Sequence, residues 1–501
     1  MTNFKDLQAY FLEQDFKMII AADAETLTHR KSSSGKLSAA MSAGGVSTAF
    51  DPIAKASKAT YIARAKTEED REVVDKRGIF PVQAPDGNYL LKRLFVTDEE
   101  LEKYYYGFSN QTLWPLCHVS FVSPKFDDSW FEGFKKVNEK FAKAIKDETN
   151  GKSFIWINDY QLCMVPAYLN KPKNTTIGLF WHIPWPTWET FRILPQKKEI
   201  LESMLNSDFI AFHRNYQAIN FLNCVRRELE ARIDEEKRQV YYKGKVTTIA
   251  NLPMGIDTDV VKSLAIPRDY SKMGRIVRNI LGIDNSPQKL TSLFEKYKVV
   301  LGVDRLDYTK GLIIRLQSLE KFFENNKKYV GKVIYLGIIA PSREKIDSYK
   351  NIEKEVRVMA ERINIRFGKG DYEPIHLVYH ILKREDVIHL YQGASVCLVT
   401  PRDDGMNLVS KEFIAASSVT ENPGMLVLSE FAGSSIDLDS ALIVNPYDFK
   451  QVSEAIREAL EMRKEEKVRR IKSMTKNLDE NNVYEWAVNF VKNALSSKVE
   501  R

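Results

Sequence analysis

Short apolar runs recur along this chain, and amphipathic segments separate them. The short runs are typical of buried parallel strands, and the amphipathic segments are typical of helices that cover a sheet. Strands are predicted at residues 18–22, 153–157, 177–181, 208–212, 298–303, 332–339, 376–379, 394–399, 424–428 and 441–444, and residues 247–254 close the first half of the chain. This alternation predicts an α/β fold in which helices cover parallel sheets.

Five segments depart from the alternation. Residues 1–17 are predicted to form an added N-terminal helix, and residues 220–239 are predicted to form a charged helix. Residues 28–44 are rich in serine, glycine and basic residues, which predicts a mobile loop. Residues 256–296 are highly charged and contain no strong strand signal, whereas residues 483–495 have the apolar spacing of a C-terminal helix.

The length of 501 residues and the interruption after residue 256 predict two domains. The expected boundaries are an N-terminal domain over residues 1–260 and a second domain over residues 261–480. Residues 481–501 are expected to form a last helical segment that crosses back to the first domain. Each domain is long enough to bury a core of its own.

Composition excludes several classes of function. The net charge of +7 is modest, charges of both signs are mixed, and no stripe of basic and aromatic residues predicts nucleic-acid binding. No apolar stretch reaches the roughly 20 residues needed to cross a bilayer, and the N-terminus lacks the pattern of a signal peptide. A cytoplasmic protein without membrane partners is therefore expected. The sequence allows a homo-oligomer but does not fix the oligomeric state.

Cysteine spacing gives no sign of a disulfide framework or a zinc site. The four cysteines lie far apart and form no CxxC pair, and two of them, Cys163 and Cys397, fall in apolar runs that predict buried thiols. The acidic pairs around Asp257 and Asp437 are typical of turns. No metal and no cofactor are expected.

The segment VVLGVDRLDYTKG at residues 299–311 predicts an anion site. Its apolar run predicts a strand, and the residues after Gly311 predict a helix. Ligands of open α/β sheets bind where a strand ends and the next helix begins. Arg305 and Lys310 lie at that point, where a guanidinium, an ammonium and a helix N-terminus suit a diphosphate. Two solvated surface cations are the alternative interpretation.

A second segment, VTPRDDGMNLVSKE at residues 399–412, places carboxylates at another strand end. Asp404 and Gly405 fall in the predicted loop, and Glu412 falls inside the following helix. A loop carboxylate can accept hydrogen bonds from sugar hydroxyls, and one inside the helix can hold a ribose diol. The backbone N–H groups between them are expected to face the same anion as Arg305 and Lys310. Together the two segments predict a nucleotide-sugar site.

Both segments, and further motifs in the same order, resemble the trehalose-6-phosphate synthase family, which comprises retaining glycosyltransferases of family 20 with the GT-B fold. The additional motifs are SAGGVSTAFDP at 42–52, YYGFSNQTLWP at 105–115, WINDYQL at 156–162, HIPWPTWETFRILP at 182–195, NLPMGID at 251–257, IIAPSRE at 338–344, LSEFAGSS at 428–435 and ALIVNPYD at 441–448. The resemblance covers about residues 18–495. It implies two Rossmann-like domains that face each other across a cleft.

The resemblance also implies roles for particular residues. It implies that Asp159, His182, Arg305 and Lys310 are catalytic. It implies a donor site formed by Gly44, Gly45, Arg305, Lys310, Leu382, Asp404, Gly405, Met406, Asn407, Leu408, Val409 and Glu412, with base contacts from the backbone near residues 380–383. It implies an acceptor site formed by Tyr105, Trp114, Asp159 and Arg343.

The residues themselves leave structural alternatives for several of these roles. Asp159 can cap a helix, because aspartate is a favoured N-cap residue. His182 can be a structural histidine, and Tyr105 and Trp114 can be a pair of core aromatics. The residues alone do not decide between these alternatives and the roles that the resemblance implies.

This chain departs from the family at two places. Where family members end the first strand with Ser-Asn-Arg, the corresponding positions here are Ala21-Ala22-Asp23, and Asn158 and Gln161 replace two histidines. A carboxylate at Asp23 would repel an acceptor phosphate unless it is paired or turned away. The basic loop with His29, Arg30, Lys31 and Lys36 can supply the missing charge, or it can simply be solvated.

The expected reaction is transfer of glucose from a nucleoside-diphosphate glucose to a sugar phosphate, glucose 6-phosphate, which gives trehalose 6-phosphate. One alternative is a related transferase with another acceptor, either a glucosylglycerol-phosphate synthase or a cyclitol-coupling pseudo-glycosyltransferase. Another is a non-catalytic sugar-phosphate sensor. The donor base is left open among uridine, guanosine and adenosine.

Overall fold

The computed structural model describes residues 2–32, 34–41, 45–171, 173–265, 294 and 296–497. The chain divides into two compact units, of which the first comprises Met1–Met254 with Asn482–Arg501 and the second comprises Gly255–Asn481. Each unit is built on its own sheet and has its own core.

A mixed ten-stranded sheet forms the centre of the first unit. Its strand order is β10-β11-β12-β9-β8-β7-β1-β4-β6-β5, and the central strands are parallel. The strands of this unit, including a separate β2–β3 hairpin, are β1 Lys17–Ala22, β2 Leu27–Lys31, β3 Leu37–Met41, β4 Thr60–Arg64, β5 Ile79–Ala84, β6 Gly87–Leu94, β7 Ser153–Asn158, β8 Thr175–Phe180, β9 Phe209–Phe212, β10 Arg232–Asp234, β11 Gln239–Tyr242 and β12 Lys245–Asn251.

Helices cover this sheet and supply much of the unit's core. The α-helices of this unit are Phe4–Leu12, Gly45–Ser57, Glu69–Glu72, Asp98–Leu101, Trp114–Cys117, Asp128–Glu148, Val165–Tyr168, Trp188–Phe191, Lys197–Met204, Asn215–Glu228 and Val483–Ser496, and Glu102–Leu113 is a π-helix. The predicted N-terminal helix is confirmed over Phe4–Leu12, where Asn3 and Asp6 form a capping box.

The mobile loop predicted at residues 28–44 is wrong for its described part, which forms the β2–β3 hairpin. Leu27 pairs with Met41, and Lys31 pairs with Leu37. A buried ionic cluster holds its base: His29 contacts Asp70 at 3.2 Å, and Arg93 reaches Asp70 at 3.0 Å. Buried charges persist only when they are paired, so this cluster fixes a segment that composition alone assigned to a loop.

The charged helix predicted at residues 220–239 is also wrong in its second half. The helix Asn215–Glu228 ends at Leu229, where the backbone becomes extended. The chain then forms β10, β11 and β12, which are linked in antiparallel pairs. Burial of Val240 against this sheet outweighs the helical preference of the charged residues before it.

A six-stranded, fully parallel sheet forms the centre of the second unit, in the order β15-β14-β13-β16-β17-β18. Its strands are β13 Lys298–Arg305, β14 Val333–Ala340, β15 Ile375–Tyr379, β16 Val396–Val399, β17 Met425–Ser429 and β18 Leu442–Val444. Its α-helices are Thr258–Leu264, Leu312–Asn325, Asp347–Phe367, Arg384–Gly393, Leu408–Ser417, Phe449–Glu461 and Lys464–Glu480. The strands predicted in both halves are confirmed, with small shifts at their ends.

The C-terminal helix Val483–Ser496 packs on β8 and β9 of the first unit. The rings of Phe490 and Trp156 stack with their centroids 4.1 Å apart, and the ring centroids of Trp486 and Trp156 are 5.2 Å apart. Buried aromatic area of this kind is a large contribution to stability. No helix among the described residues is long and apolar enough to cross a membrane.

Candidate functional site

In the second unit, the loops after β13 and β16 meet at the carboxyl edge of the sheet. β13 ends at Arg305, whose side chain is 45% exposed. Lys310 closes the short helix that follows, and its ammonium lies 2.5 Å from the Asp404 carboxylate in the loop after β16. The two strands are neighbours, so the predicted meeting of these segments at one sheet edge is confirmed.

Gly311 allows the two loops to approach this closely. Its φ of +67° is in the left-handed region, and a Cβ atom at this position would lie 2.2 Å from the carbonyl oxygen of Thr400. The backbone N–H of Arg402 also donates to the carbonyl of Thr309 at 2.7 Å. A side chain at Gly311 would push the loops apart, so glycine is required here.

The loop after β16 presents a helix N-terminus. Asn407 has a φ of +78°, accepts from the N–H of Ser410 at 3.0 Å and donates to Asp404 at 3.0 Å. The helix Leu408–Ser417 begins directly after it, so the first N–H groups of that helix lie beside the Lys310–Asp404 pair. Free N–H groups at a helix start favour an anion. Two other predicted donor residues, Gly405 and Met406, lie in this loop and are buried. Leu408 and Val409 are the first residues of the helix and are half-buried.

A buried ion pair, Arg315 with Asp304, contacts both the loop after β13 and the end of β16. Arg315 is 1% exposed and contacts Asp304 at 2.5 Å and the hydroxyl of Thr400 at 2.9 Å. It also donates to the carbonyl of Lys310 at 3.2 Å. One guanidinium therefore links β13, the Lys310 loop and the end of β16, which fixes the backbone at Lys310.

Glu412 lies in the helix Leu408–Ser417, as predicted, and Arg384 holds its carboxylate. The guanidinium nitrogens of Arg384 lie 3.1 and 2.9 Å from the same Glu412 oxygen. Burial raises the pKa of Glu412, and Arg384 opposes that shift. Arg384 follows residues 380–383, where Leu382 packs its side chain against the core. Arg384 therefore positions Glu412, a role that the sequence did not reveal.

Arg343 is buried and paired. Its side chain is 3% exposed, and its guanidinium contacts Asp307 at 3.1 Å and the Tyr349 hydroxyl. Burial acts to raise the pKa of Asp307, but attraction by Arg343, Arg305 and Lys310 outweighs it and keeps that pKa below its ordinary value. The structure thus links Arg343 through Asp307 to Arg305, and its role as an acceptor ligand stays a prediction.

In the first unit, Asp159 follows β7 in a strained backbone conformation with a φ of +72°. Its Oδ1 atom accepts from the N–H of Tyr160 at 2.9 Å and from the N–H of His182 at 3.1 Å. Asp159 is therefore a cap for the short helix at 160–162. Strained residues of this kind cluster at functional sites, and the role of Asp159 in acceptor binding stays a prediction.

Asn158 fixes the tautomer of His182. The Asn158 amide nitrogen donates to the carbonyls of Ala21 at 3.3 Å and Trp156 at 3.4 Å, so its oxygen must face His182. The Nε2 atom of His182 lies 3.2 Å from that oxygen and therefore carries the proton. Nδ1 is then a hydrogen-bond acceptor, and no contact within the described residues uses it.

Burial among aromatic rings lowers the pKa of His182 to about 3. The rings of Phe180 and His213 lie 4.5 and 5.3 Å away between centroids. His182 is therefore a neutral imidazole at physiological pH, which can exchange hydrogen bonds with a substrate but cannot act as a charged acid.

We expect Asn158→Asp to raise the pKa of His182, because a carboxylate beside Nε2–H stabilises the imidazolium. Nitrogen-15 spectra of the chain's seven histidines, with His182→Gln to identify the resonance, follow this titration. In the wild type His182 should keep the Nε2–H tautomer from pH 5 to pH 9 and should titrate at higher pH in the variant. A wild-type His182 that titrates between pH 5 and pH 7 would contradict the assignment.

Of the aromatic residues predicted for the acceptor site, Tyr105 lies near the start of the π-helix Glu102–Leu113 and Trp114 directly follows its end. A π-helix is a rare element that often marks functional sites. Tyr105 is half-buried, and the guanidinium of Arg64 lies 5.1 Å from its ring centroid. Trp114 is 6% exposed and packs 4.1 Å from the ring of His118. Tyr105 is thus partly accessible, whereas most of Trp114 belongs to the core. The acceptor roles of both residues stay predictions.

The glycine pair predicted to approach a diphosphate is only partly described. Gly45 is exposed and begins the helix Gly45–Ser57, so its N–H is one of the free donors at that helix start. Gly44 lies outside the described residues. The roles of both glycines stay predictions.

Asp23 is paired, which the sequence could not show. Its carboxylate contacts Arg64 twice, at 2.8 and 3.0 Å, and accepts from the Tyr104 hydroxyl at 3.0 Å. Burial acts to raise the pKa of Asp23, but Arg64 outweighs it, so the pKa lies below its ordinary value. In the hairpin, His29 is buried and Lys31 contacts Glu72 at 2.6 Å, whereas Arg30 and Lys36 are exposed.

Comparison with known proteins matches residues 16–496 to the model of glycosyltransferase family 20. The alpha,alpha-trehalose-phosphate synthase [UDP-forming] of Candida albicans is 33% identical over 485 residues, covering 95% of this chain and 96% of that protein. A relative of the same name from Schizosaccharomyces pombe is 32% identical over 455 residues, covering 89% of this chain and 84% of that protein.

Solved structures give the same match. The trehalose-6-phosphate protein from E. coli bound with UDP-2-fluoro glucose is 28% identical with a TM-score of 0.82, covering 95% of this chain and 98% of that one. The alpha,alpha-trehalose-phosphate synthase (UDP-forming) from Burkholderia xenovorans in complex with glucose-6-phosphate is 28% identical with a TM-score of 0.79, covering 96% and 100% of the two chains. The predicted α/β class with two Rossmann-like units of the GT-B type is confirmed.

Proposed function

This chain belongs to glycosyltransferase family 20, and from that premise we propose that it transfers glucose from UDP-glucose to glucose 6-phosphate, which yields trehalose 6-phosphate and UDP. The observation that supports this proposal best is the meeting of Arg305, Lys310 and Asp404 at one sheet edge beside a helix N-terminus. Two cations and free N–H groups suit a diphosphate, and the carboxylate suits a sugar hydroxyl.

In this proposal the donor lies on the second unit. Arg305 and Lys310 bind the diphosphate, Asp404 binds the transferred glucose, and Glu412 binds the ribose hydroxyls. The loop at 380–383 faces the base with its backbone. Glu412 and Asp404 are both held by cations, so their oxygens are positioned before the donor binds.

The proposed reaction is retaining, as in the family that the chain resembles. The C1-hydroxyl oxygen of the acceptor forms a bond to C1 of the donor glucose on the face that the diphosphate leaves. The bond from C1 to the diphosphate oxygen breaks, and the departing UDP takes up the acceptor proton. Arg305 and Lys310 stabilise the charge that grows on the leaving oxygen, so their contribution is greatest in the transition state.

The acceptor is proposed to be bound by Tyr105 and Asp159 of the first unit. His182 is neutral, so it serves as a hydrogen-bond partner of a substrate hydroxyl rather than as a proton donor of its own. All four cysteines are buried, and none of them forms a disulfide within the part of the chain that the structure describes. We propose that the protein acts in the cytoplasm, where thiols stay reduced.

A second candidate function is the same transfer to another acceptor. The observation that favours it is Asp23, a carboxylate at the end of β1 that is neutralised by Arg64. Release of UDP from UDP-glucose, measured separately with glucose 6-phosphate, glycerol 3-phosphate and glucose, tests both candidates. Preference for glucose 6-phosphate supports the first, and preference for glycerol 3-phosphate supports the second. Preference for unphosphorylated glucose contradicts the trehalose-phosphate proposal.

Glu412→Gln is expected to weaken UDP-glucose binding by about tenfold, because a charge-assisted hydrogen bond to the ribose becomes a neutral one. Binding of glucose 6-phosphate should stay nearly unchanged. Calorimetric titration with each substrate measures both affinities. The matched control is Glu385→Gln, an exposed carboxylate next to Arg384. Equal loss of both affinities would show that Glu412 is structural.

A further inference from the structure

The carboxyl ends of β1 and β4 carry a buried ion pair that the proposed reaction does not yet use. Asp23 and Arg64 are each 7% exposed. The two strands are parallel neighbours in which Ala22 pairs with Ala63, so the residues that follow meet at one edge of the sheet. Ligands of parallel sheets bind at this edge.

Asp23 holds the guanidinium of Arg64 in one orientation. The Nε and Nη2 atoms of Arg64 donate to the two carboxylate oxygens at 2.8 and 3.0 Å. The Tyr104 hydroxyl donates to the same carboxylate, and the ring of Tyr105 lies beside the guanidinium. A two-point contact of this kind fixes both the position and the plane of an arginine side chain.

The pair leaves hydrogen-bond donors unused. An arginine side chain has five N–H donors and no acceptor, and the contacts with Asp23 occupy only Nε and one N–H of Nη2. Within the part of the chain that the structure describes, no contact uses Nη1 of Arg64. The remaining N–H groups can bind only an acceptor atom, such as an oxygen of a phosphate or a hydroxyl.

The local charge favours an anion over a neutral hydroxyl. Lys66 is exposed two residues after Arg64, and it adds to the attraction that lowers the pKa of Asp23. Asp23 contributes one negative charge, and Arg64 and Lys66 contribute two positive charges, so these three side chains sum to +1. Lys66 also attracts Glu25, but Glu25 is itself paired with Arg93. Cations at a partly buried edge attract a phosphate more strongly than an uncharged group.

We propose that Arg64, oriented by Asp23, binds the phosphate of the sugar-phosphate acceptor and sets the preference for phosphorylated over unphosphorylated acceptors. This inference rests on the proposed function, because it takes a sugar phosphate as the acceptor. Arg64 on β4 then supplies the cation that the end of β1 lacks. Asp23 is a positioning residue that acts through Arg64.

The test compares Arg64→Gln with the wild type, using UDP-glucose with either glucose 6-phosphate or glucose. The KM for glucose 6-phosphate should rise about ten- to a hundredfold, because charged hydrogen bonds are lost. The KM for UDP-glucose should change less than about twofold. The ratio of kcat/KM for glucose 6-phosphate to kcat/KM for glucose should fall by the same factor by which the KM for glucose 6-phosphate rises. Arg64→Lys keeps the positive charge but loses the planar pair of N–H donors, so it should retain part of the preference that Arg64→Gln loses.

Two further variants keep the result interpretable. Arg71→Gln removes an exposed arginine whose ion-pair partner is Glu68, and it should leave both KM values unchanged. The double variant Asp23→Asn with Arg64→Gln removes both buried charges at once, so it avoids an unpaired carboxylate and should show the same rise in acceptor KM.

An acceptor KM that stays at the wild-type value in both Arg64→Gln and the double variant would overturn the inference, as would equal losses with glucose and glucose 6-phosphate. A third result would also overturn the inference. This is a triple variant, with glutamine at Arg30, Lys31 and Lys36, that raises the acceptor KM while Arg64→Gln does not. If the wild type forms the product and the Arg64 variants have the wild-type acceptor KM, this inference alone is contradicted. A wild-type protein that neither binds nor uses glucose 6-phosphate contradicts both the inference and the proposed function.

Discussion

Lys310→Ala is expected to reduce kcat by at least about a hundredfold, the usual cost of removing a group that stabilises charge in the transition state. The ammonium of Lys310 lies at the sheet edge beside Asp404 and the start of the helix Leu408–Ser417. Lys310 and Arg305 are the two cations that we assign to the leaving diphosphate. Steady-state release of UDP measures the loss, and calorimetric binding of UDP shows whether the donor still binds.

Two controls separate chemistry from folding. Lys321→Ala removes an exposed lysine from the following helix, where it contacts Glu324, and it should leave kcat unchanged. Lys310→Met combined with Asp404→Asn removes both charges of the pair, so no carboxylate is left without its cation. This double variant should be as slow as Lys310→Ala. A Lys310→Ala protein with near-normal turnover would contradict the donor site.

Arg315→Met is expected to lower the free energy of unfolding by about 3–5 kcal/mol, because it leaves Asp304 as an uncompensated buried charge. The guanidinium of Arg315 contacts Asp304 and Thr400 and donates to the carbonyl of Lys310. Loss of these contacts should also loosen the Lys310 loop and raise the KM for UDP-glucose. Denaturant unfolding measures the first effect, and donor kinetics measure the second.

The matched control is Arg362→Met, which removes an exposed arginine from its ion pair with Glu320 and leaves Glu320 paired with Arg366. A surface pair contributes about 0–1 kcal/mol, so this variant should unfold nearly like the wild type. If Arg315→Met is no less stable than Arg362→Met, the buried pair does not support the site as described.

Much of the donor site could be predicted because its parts are local in sequence. Strong apolar runs identified β13 and β16, and the polar residues directly after each run identified the loops. The carboxyl ends of parallel strands lie at one edge, so Lys310 and Asp404 were expected near each other, and they are. Glu412 was placed correctly inside a helix for the same reason.

The rest depends on which strands are neighbours, and the sequence does not carry that information locally. Asp23 and Arg64 meet only because β4 pairs with β1. Arg343 reaches Asp307 only because β14 pairs with β13. The β2–β3 hairpin was mistaken for a loop because its buried partner Arg93 lies far along the chain.

The central claim is tested most directly by incubating the wild-type protein with UDP-glucose, carbon-13 labelled in the glucose, and unlabelled glucose 6-phosphate. The product is then examined by mass spectrometry and carbon-13 NMR. The account predicts a disaccharide monophosphate with one labelled and one unlabelled hexose, an α configuration at the labelled anomeric carbon, and one UDP per product. Release of free labelled glucose without a disaccharide phosphate, or a β configuration at that carbon, would contradict it.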